Sequence, residues 1–366
     1  MTASSNTHEI NIELHTSPVS DADRIKALET PGFGKVFTDH MVLAKWTSDK
    51  GWHDAKVTPR RPLELDPASA VLHYAQEIFE GMKAYKAEDG RILLFRPEQN
   101  AKRFNQSAER MAMPAVPEEL FLKAVEELVR LDKSWIPSGD GSLYLRPFMF
   151  ANEAFLGVRP AQEYIFCVIA SPVGAYFKGG AKAVSLWVET EYTRAAAGGT
   201  GAAKCGGNYA ASLVAQAEAA KKNCDQVVFL DAAEHRWIEE LGGMNVFFAM
   251  NDGTIVTPPL GGTILPGITR ASVIVLAEEK GLKVEQRPYS FAEWQADAAS
   301  GKLVEAFACG TAAVLAGIGL VRHAGGEFKV GDGETGKLTT ELRNELVGLQ
   351  KGVTNDERGW TRRIMA

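Results

Sequence analysis

Positive charge is not in excess in this sequence, and long apolar segments are missing from it. Of 366 residues, 40 are lysine or arginine and 46 are aspartate or glutamate, which gives a formal net charge of -6. Nucleic acid is therefore not an expected partner, because a phosphate backbone is bound by basic faces. No apolar run is long enough to span a bilayer, so no membrane is expected either. The polar start, residues 1–15, does not have the character of a signal peptide. The composition is that of an ordinary soluble globular protein.

Cysteine is scarce as well. The four cysteines, Cys167, Cys205, Cys224 and Cys309, form no CxxC pair and no Cys/His spacing typical of a metal site. A metal centre is therefore not expected, and a reducing cytoplasm is the simplest location.

The length predicts two domains. A proline- and glycine-rich break over residues 171–180 suggests the boundary, so we predict a small N-terminal α/β domain over 1–176, a linker over 177–186 and a large C-terminal domain over 187–366. Turn signals such as Glu88-Asp89-Gly90 and Asn251-Asp252-Gly253 favour hairpins at 82–95 and 245–257, and a further hairpin is predicted at 226–239. Apolar periodicity predicts helices over 97–113, 117–131, 208–222, 269–280, 291–299 and 338–351. The predicted fold class is α+β, with mostly antiparallel sheets and flanking helices.

A glycine-rich run over residues 198–209 surrounds one lysine, Lys204. The run is not a phosphate loop, because Ala203 precedes the lysine and Cys205 follows it. It is not a dinucleotide fingerprint either, because Lys204 stands where the last glycine is needed. A flexible surface loop with an exposed lysine is the simplest alternative. The neighbours favour chemistry instead, because Tyr209 follows on a predicted helix and Glu240 precedes a glycine pair.

These residue types suit pyridoxal 5'-phosphate (PLP). A neutral amine forms a Schiff base with its aldehyde, and the cofactor ring then serves as an electron sink. A buried carboxylate favours the protonated pyridine nitrogen, and a phenol can bond the ring oxygen. The phosphate needs an arginine and the amides of a helix N-terminus. The sequence offers each group in Lys204, Glu240, Tyr209, Arg103 and the turn at 266–269.

At this point the sequence resembles a known family, the branched-chain-amino-acid aminotransferases of PLP fold type IV, the D-alanine aminotransferase-like fold. The resemblance covers nearly the whole chain, and its motifs lie in one order along it. They are found at residues 33–41, 73–74, 79–84, 143–147, 173–177, 204–209, 240–245, 265–267 and 310–312.

The resemblance implies an active site at the domain and dimer interface, with a set of cofactor contacts. Lys204 would form the imine and move the α-proton of the substrate. Tyr209 would bond the ring oxygen and Glu240 the ring nitrogen, while Glu239 would point to the other face of its strand. The phosphate would lie at Arg103, Ile268, Thr269 and Thr311, and Arg194 matches a second arginine near the cofactor. Without the resemblance, Arg103 would be taken for a surface helix residue.

The resemblance also implies a substrate pocket. Its apolar wall would comprise Phe33, Tyr74, Phe79, Tyr144 and Tyr176, with Val158 on a loop from the neighbouring subunit. Arg146 with Tyr144 would anchor the side chain of glutamate, and Thr311 and Ala312 would receive the α-carboxylate. Taken singly, each aromatic residue could be plain core and Arg146 could form a structural ion pair.

Two departures from the family accompany this resemblance. Ala313 and Ala316 occupy the positions of a redox CxxC in animal relatives, so no thiol switch is expected there, and Gly243 replaces a hydroxyl residue. The predicted function is transfer of the amino group of leucine, isoleucine or valine to 2-oxoglutarate in a cytoplasmic homodimer. The alternatives are a D-amino-acid aminotransferase or a PLP lyase on the same fold, and a non-catalytic binding module.

Overall fold

The computed structural model describes residues 9–174 and 182–365. The chain divides into two compact units, bounded as Met1–Ala175 with Leu349–Ala366 and as Tyr176–Gly348. Within the described ranges, no helix combines the length and the apolar content needed to cross a bilayer.

In chain order, the strands are β1 (Asn11–Ile12), β2 (His40–Thr47), β3 (Gly51–Pro59), β4 (Glu77–Phe79), β5 (Met82–Lys86), β6 (Ile92–Phe95), β7 (Ser142–Ala151), β8 (Glu163–Val173), β9 (Val184–Glu189), β10 (Gln226–Leu230), β11 (Ile238–Leu241), β12 (Asn245–Met250), β13 (Thr254–Thr257), β14 (Lys283–Gln286), β15 (Leu303–Gly310), β16 (Val314–His323), β17 (Gly326–Lys329) and β18 (Thr361–Ile364). The helices are α1 (Asp21–Glu29), α2 (Ala70–Tyr74), α3 (Pro97–Arg110), α4 (Glu118–Leu131), α5 (Gly206–Lys221), α6 (Ile268–Glu279), α7 (Phe291–Ser300) and α8 (Lys337–Gln350).

The first unit contains one sheet in the order β1-β3-β2-β8-β7-β5-β6-β18, with β4 paired to β7. Its pairs are antiparallel except for β1 with β3. The hairpin of β5 and β6 confirms the prediction at 82–95. The predicted C-terminal domain, 187–366, includes residues 349–366, which the structure assigns to the first unit. β18 pairs with β6, so that Arg362 lies opposite Leu94 in the sheet of the first unit.

Two helices of the first unit build its aromatic core. Pro97 opens α3, where its missing N–H and fixed φ suit the first helical position. Ala101, Phe104 and Ala108 form an apolar stripe on this helix and are buried. Phe104 meets Phe121 of α4 and Phe166 of β8 with ring centroids 5.4 and 5.6 Å apart. The periodic pattern therefore placed the correct face of α3 in the core.

The second unit contains another sheet, in the order β11-β10-β9-β16-β15-β12-β13-β14, with β17 paired to β16. β9 runs parallel to both β10 and β16, and β13 runs parallel to β14, while the other pairs are antiparallel. The hairpins β10–β11 and β12–β13 confirm the predictions at 226–239 and 245–257. With the helices, these two mostly antiparallel sheets confirm the α+β class.

A half-buried carboxylate, that of Glu305 on β15, ties helix α8 to the second sheet. It accepts hydrogen bonds from the Leu338 and Thr339 amides, each at 2.9 Å, and from the Thr339 hydroxyl at 2.8 Å. Gly336 makes room for it, since a Cβ there would lie 1.9 Å from the Glu305 carboxyl carbon. Glu305 thus takes the role of an N-cap from a distant strand.

We predict that Glu305→Ala lowers the free energy of unfolding by about 1–3 kcal/mol, because it leaves helix-terminal amides without their acceptor. Urea denaturation followed by circular dichroism measures this change. Glu341→Ala, on the exposed side of α8, is the control and should change the free energy by less than about 0.5 kcal/mol. Equal effects of the two variants would contradict the capping role.

Candidate active site

Lys204 lies within the glycine-rich run, two residues before α5 begins at Gly206. Cys205 is the N-cap of this helix, and Tyr209 lies in its first turn. The half-buried Lys204 donates from Nζ to the Tyr209 hydroxyl at 2.7 Å. The amine and the phenol that the sequence analysis selected are therefore direct neighbours.

The glycine-rich run is fixed by hydrogen bonds and close packing, in contrast to the alternative of a flexible surface loop. Buried Asn208 donates to the carbonyls of Thr200 and Ala203, both at 2.8 Å, and accepts from the Thr200 hydroxyl at 2.7 Å. A Cβ on Gly201 would lie 2.3 Å from the Thr263 carbonyl oxygen, so only glycine allows this approach. Asn208 is a positioning residue to which the sequence analysis gave no role.

Glu240 on β11 is buried, and two donors meet its Oε1 oxygen. The Arg194 guanidinium lies at 2.7 Å and the Leu265 amide at 3.0 Å. Burial raises the pKa of Glu240 to about 7, a larger effect than the opposing attraction of Arg194, the Leu265 amide and Lys204. This carboxylate can therefore exist with or without its proton near neutral pH.

Glu239, the neighbour of Glu240, is also buried, but it has a different partner. Its Oε1 oxygen accepts from the Thr263 hydroxyl at 2.5 Å, and burial raises the pKa of this carboxyl too. The two adjacent glutamates thus hold residues 263 and 265 of one loop, and their separate contacts agree with the alternation expected along a strand.

Arg194 connects the parts of this cluster. Besides Glu240, it reaches the Thr263 carbonyl from Nη1 at 2.9 Å and the Gly201 carbonyl from Nη2 at 3.5 Å. Within the described residues its buried Nε has no hydrogen-bond partner. Arg194 therefore holds the carboxylate of Glu240 against the glycine-rich run.

The N-terminus of α6 follows the loop that the two glutamates hold. Gly267 is the N-cap, so Ile268 and Thr269 are the first helical residues. Asn245 donates to the Leu265 carbonyl at 3.1 Å, and a Cβ on Gly267 would lie 2.0 Å from the Asn245 side-chain oxygen. The first amides of a helix have no intrahelical acceptor, which makes this fixed start a site suited to an anion.

Thr311 and Ala312 lie in the turn between β15 and β16, where Gly310 pairs with Val314. Val314 has φ of 63°, a left-handed value that is a genuine outlier for a β-branched residue. Such a conformation costs on the order of 1–3 kcal/mol and tends to occur at functional sites. The hairpin therefore holds this turn in a shape that the local sequence does not favour.

In the first unit, two consecutive residues of the motif at 79–84 hold two different arginines. Phe79 lies under the Arg146 guanidinium, with 4.7 Å from Cζ to the ring centroid. Glu80 is buried and binds Arg103 through two contacts, Nε to Oε1 at 2.7 Å and Nη2 to Oε2 at 2.8 Å. Arg103 is therefore a buried residue and not the surface helix residue that its helix pattern alone favoured.

Arg146 and Tyr144 form a second polar group on the first sheet. Arg146 donates from Nη2 to the Tyr144 hydroxyl at 3.0 Å, and a Cβ on Gly81 would lie 2.2 Å from that hydroxyl oxygen. Phe33 meets the Tyr144 ring edge-on with centroids 5.1 Å apart. Phe33, Phe79, Tyr144 and Arg146 are thus neighbours, as the resemblance implied.

Two further residues that the resemblance assigned to the pocket, Tyr74 and Val158, are exposed at the surface of the first unit. Tyr74 donates from its hydroxyl to the Leu156 carbonyl at 2.6 Å, and Val158 is 88% exposed. With Leu72 and Leu156 they form a group of exposed apolar side chains, which we call the 72/158 patch. Tyr176, the other aromatic residue assigned to the pocket, lies outside the described residues.

A comparison of the sequence with protein families assigns the class. Residues 77–321 match the family described as amino-transferase class IV. That span covers well over half of the chain and includes Lys204, Tyr209, Glu240 and the turn at Thr311. The chain is accordingly a class IV aminotransferase, and its two-sheet fold agrees with that class.

Individual relatives narrow this assignment. The chain is 53% identical to the branched-chain-amino-acid aminotransferase of Mycolicibacterium smegmatis over 361 residues, which cover 97% of this chain and 98% of that protein. Solved structures of two further branched-chain amino acid aminotransferases superpose on it. That from Escherichia coli has TM-score 0.71, 26% identity and coverage of 90% of this chain and 99% of that chain. That from Thermobaculum terrenum in its PLP form has TM-score 0.70, 25% identity and coverage of 88% and 98%. The chain belongs to the branched-chain-amino-acid aminotransferase family.

The raised pKa of Glu240 predicts how stability depends on pH. Between the ordinary pKa of 4.5 and the folded value of about 7, the folded chain holds a proton that the unfolded chain has lost. The free energy of unfolding therefore falls as pH rises through this window. Relative to Glu240→Gln, the wild-type protein without ligand should lose on the order of 2–3 kcal/mol between pH 5 and pH 8.

Urea unfolding of both proteins at several pH values measures this difference, and Glu341→Gln, a change on the surface of α8, should follow the wild type throughout. A wild-type curve that stays parallel to that of Glu240→Gln would show that the carboxyl titrates near its ordinary pKa.

Proposed function

We propose that this aminotransferase transfers the amino group of leucine, isoleucine or valine to 2-oxoglutarate, with PLP as its cofactor. The products are glutamate and the branched-chain 2-oxo acids. The observation that carries the proposal is the 2.7 Å contact of the Lys204 amine with the Tyr209 phenol, in one cluster with the buried Glu240 carboxylate. Both lie in a chain that shares the family of the branched-chain enzymes.

The residues present fit PLP, because the chain offers a suitable group for its aldehyde, for its ring nitrogen and for its phosphate. A half-buried amine suits its aldehyde, a buried carboxylate with a raised pKa suits its ring nitrogen, and a fixed helix N-terminus suits its phosphate. When bound, PLP supplies an electron sink for the bonds at the substrate α-carbon.

Lys204 would bind the cofactor aldehyde and would move the proton of the substrate α-carbon. The Tyr209 hydroxyl accepts the Lys204 hydrogen bond and so fixes the direction of the amine. Because Asn208 fixes the backbone that carries Lys204, the position of the amine depends on the glycine-rich run. A fixed amine is well placed for proton transfer at a single carbon atom.

Glu240 would bond the ring nitrogen. Because Arg194 and the Leu265 amide both meet Oε1, the second oxygen is the one to face the ring. The buried setting strengthens this bond, since little water competes for the carboxylate. Arg194 acts through Glu240 and is therefore a positioning residue in this proposal.

The phosphate would be held by Arg103 and by Ile268, Thr269 and Thr311. Glu80 binds the Nε and Nη2 atoms of Arg103 and so fixes the direction of this guanidinium. An arginine that cannot rotate freely loses less entropy when an anion binds to it.

The substrate pocket must accept both an aliphatic and an acidic side chain. Arg146 stacks on Phe79 and Tyr144, so its guanidinium stays in contact with aromatic rings when a branched aliphatic substrate binds. Its Nε has no hydrogen-bond partner within residues 9–174 and 182–365, although it is buried. Glutamate would supply the missing acceptor. Phe33, Tyr74, Val158 and Tyr176 would complete the apolar wall, and Thr311 and Ala312 would receive the α-carboxylate.

A homodimer in the cytoplasm completes the proposal. The 72/158 patch is an exposed apolar surface of the kind that marks protein interfaces, and Val158 on it is the residue expected to reach the neighbouring subunit. All four cysteines are free thiols, which supports a reducing location.

Absorbance spectra with single amino acids test the proposed function. The purified protein should be yellow, borohydride should bleach the colour, and L-leucine and L-glutamate should each convert the spectrum in a half-reaction. D-alanine should leave it unchanged. Conversion by D-alanine but not by L-leucine would assign the chain to the D-amino-acid enzymes of the same fold.

We expect Lys204→Ala to retain PLP but to lose transamination. The phosphate contacts do not involve the amine, whereas loss of the base alone reduces the rate by roughly 10²–10⁴-fold. Single-turnover rates with L-leucine measure the effect. Lys222→Ala removes an exposed lysine just after α5 and is the matched control. A Lys204→Ala rate within about tenfold of wild type would exclude this lysine as the catalytic amine.

We expect Arg146→Met to weaken the glutamate half-reaction by about 2–4 kcal/mol in kcat/KM, the range for losing one partner of a desolvated charge pair. The leucine half-reaction should lose less, because methionine keeps the apolar contacts. Arg236→Met removes another arginine stacked on an aromatic ring, Trp237, and serves as the control. Equal losses for both amino acids would leave Arg146 with a structural role only.

A further inference from the structure

A cavity of about 410 Å³ lies in the second unit, beside the hairpin turn that carries Thr311 and Ala312. Its size is within the range of small-molecule sites, near the lower end. None of the described residues assigned to the catalytic site lines it. Its lining consists of Lys182, Ala183, Val184, Asp225, Gln226, Met244, Ala313 and Ala316.

The cavity has an apolar floor and a charged rim. Ala313 and Ala316 are buried and Met244 is half-buried, so this end of the cavity offers only small or flexible apolar side chains. At the rim, Lys182 and Asp225 are exposed charges of opposite sign, with the Gln226 amide beside Asp225. The Lys182 ammonium group, the Asp225 carboxylate and the apolar side chains thus line the same small cavity.

The Asp225 carboxylate is a fixed part of the rim. Its Oδ2 oxygen accepts from the Ser185 amide at 2.8 Å and from the Ser185 hydroxyl at 2.7 Å. The Asp225 amide donates in return to the Ser185 carbonyl at 2.8 Å. Ser185 and Asp225 directly precede the first registered pair of β9 and β10, Leu186 with Gln226. Because these hydrogen bonds already fix the carboxylate, it does not have to be ordered when a ligand arrives.

We propose that this cavity binds an aliphatic α-amino acid as a zwitterion, at a second site apart from Lys204. The ligand carboxylate would pair with Lys182, its ammonium group with Asp225, and its side chain would lie on Met244, Ala313 and Ala316. A phosphate or a 2-oxo acid fits less well, because each would bring negative charge to Asp225 without an ammonium group to balance it.

The cavity lies next to the turn between β15 and β16 that carries Thr311 and Ala312. Ala313 directly follows Ala312, and a Cβ on Gly310 would lie 3.2 Å from Met244 Cγ, so the floor of the cavity packs against the turn that would receive the substrate α-carboxylate. An amino acid bound in the cavity would therefore lie next to the turn proposed for the substrate α-carboxylate.

Calorimetry on the borohydride-treated holoenzyme tests the proposal, since reduction fixes the cofactor and stops transamination. Titration with L-leucine should show a binding event that persists in Phe79→Ala, which removes an aromatic ring from the apolar wall proposed for the catalytic pocket. Val184→Phe, which fills the cavity from its half-buried rim, and Lys182→Gln should each weaken this binding at least tenfold. Lys337→Gln, an exposed lysine of α8, should leave it unchanged.

The probe 4-methyl-2-oxopentanoate, which lacks the ammonium group of leucine, should bind at least tenfold more weakly than L-leucine. Thermal melts establish that each variant is folded before its titration. Absence of binding heat, or heat unchanged in both Val184→Phe and Lys182→Gln, would overturn the proposal, as would equal affinity for the oxo acid. A protein that borohydride fails to bleach would instead contradict the proposed cofactor, and native protein would then be used for the same titrations.

Discussion

The ion pair between the buried Glu240 carboxylate and Arg194 is the interaction on which the candidate site in the second unit depends. A buried ion pair costs desolvation energy that its own attraction repays only in good geometry, so it is weak evidence for stability. The role of this ion pair is to position neighbouring groups. Arg194 also reaches the Thr263 and Gly201 carbonyls, so one guanidinium sets the carboxylate, the loop before α6 and the glycine-rich run relative to each other.

The first unit uses the same kind of pair for a different purpose. Glu80 is fully buried and binds Arg103 through two contacts, with Asn100 donating to it at 2.7 Å. In the second unit Arg194 fixes the carboxylate that we propose for the cofactor ring, and in the first unit Glu80 fixes the arginine that we propose for the phosphate. Both arrangements prepare a charged group in advance, which is how a site stabilises charge without reorganising during the reaction.

Sequence periodicity predicted helices that bury one face, and turn residues predicted two of the hairpins. α3 and α4 show an apolar stripe, and the hairpins β5–β6 and β12–β13 carry turn residues. The hairpin of β15 and β16 was not predicted, because long stretches of both strands are buried and no alternation marks them. β18 escaped prediction for the opposite reason. It is short and polar, and its place depends on pairing with β6 and on the ion pairs of Arg362 with Glu98 and Glu126.

In the candidate site, too, the sequence did not predict features that depend on distant contacts. A motif can name Lys204, Tyr209 and Glu240, but their fixed positions depend on Asn208 and Asn245, whose contacts reach across the fold. The glutamate pair is the clearest case. Alternation along β11 implied that only one of Glu239 and Glu240 serves the site, and it left the other without a purpose.

The structure gives both glutamates a purpose. Glu239 accepts a hydrogen bond from the Thr263 hydroxyl, and Glu240 accepts one from the Leu265 amide. Two successive side chains of β11 therefore bind alternate residues of one loop. That loop leads through Gly267 into the N-terminus of α6. Strand β11, which carries the carboxylate proposed for the cofactor ring, therefore also fixes the helix start proposed for the phosphate. In this proposal, one piece of backbone positions the groups for both ends of the cofactor.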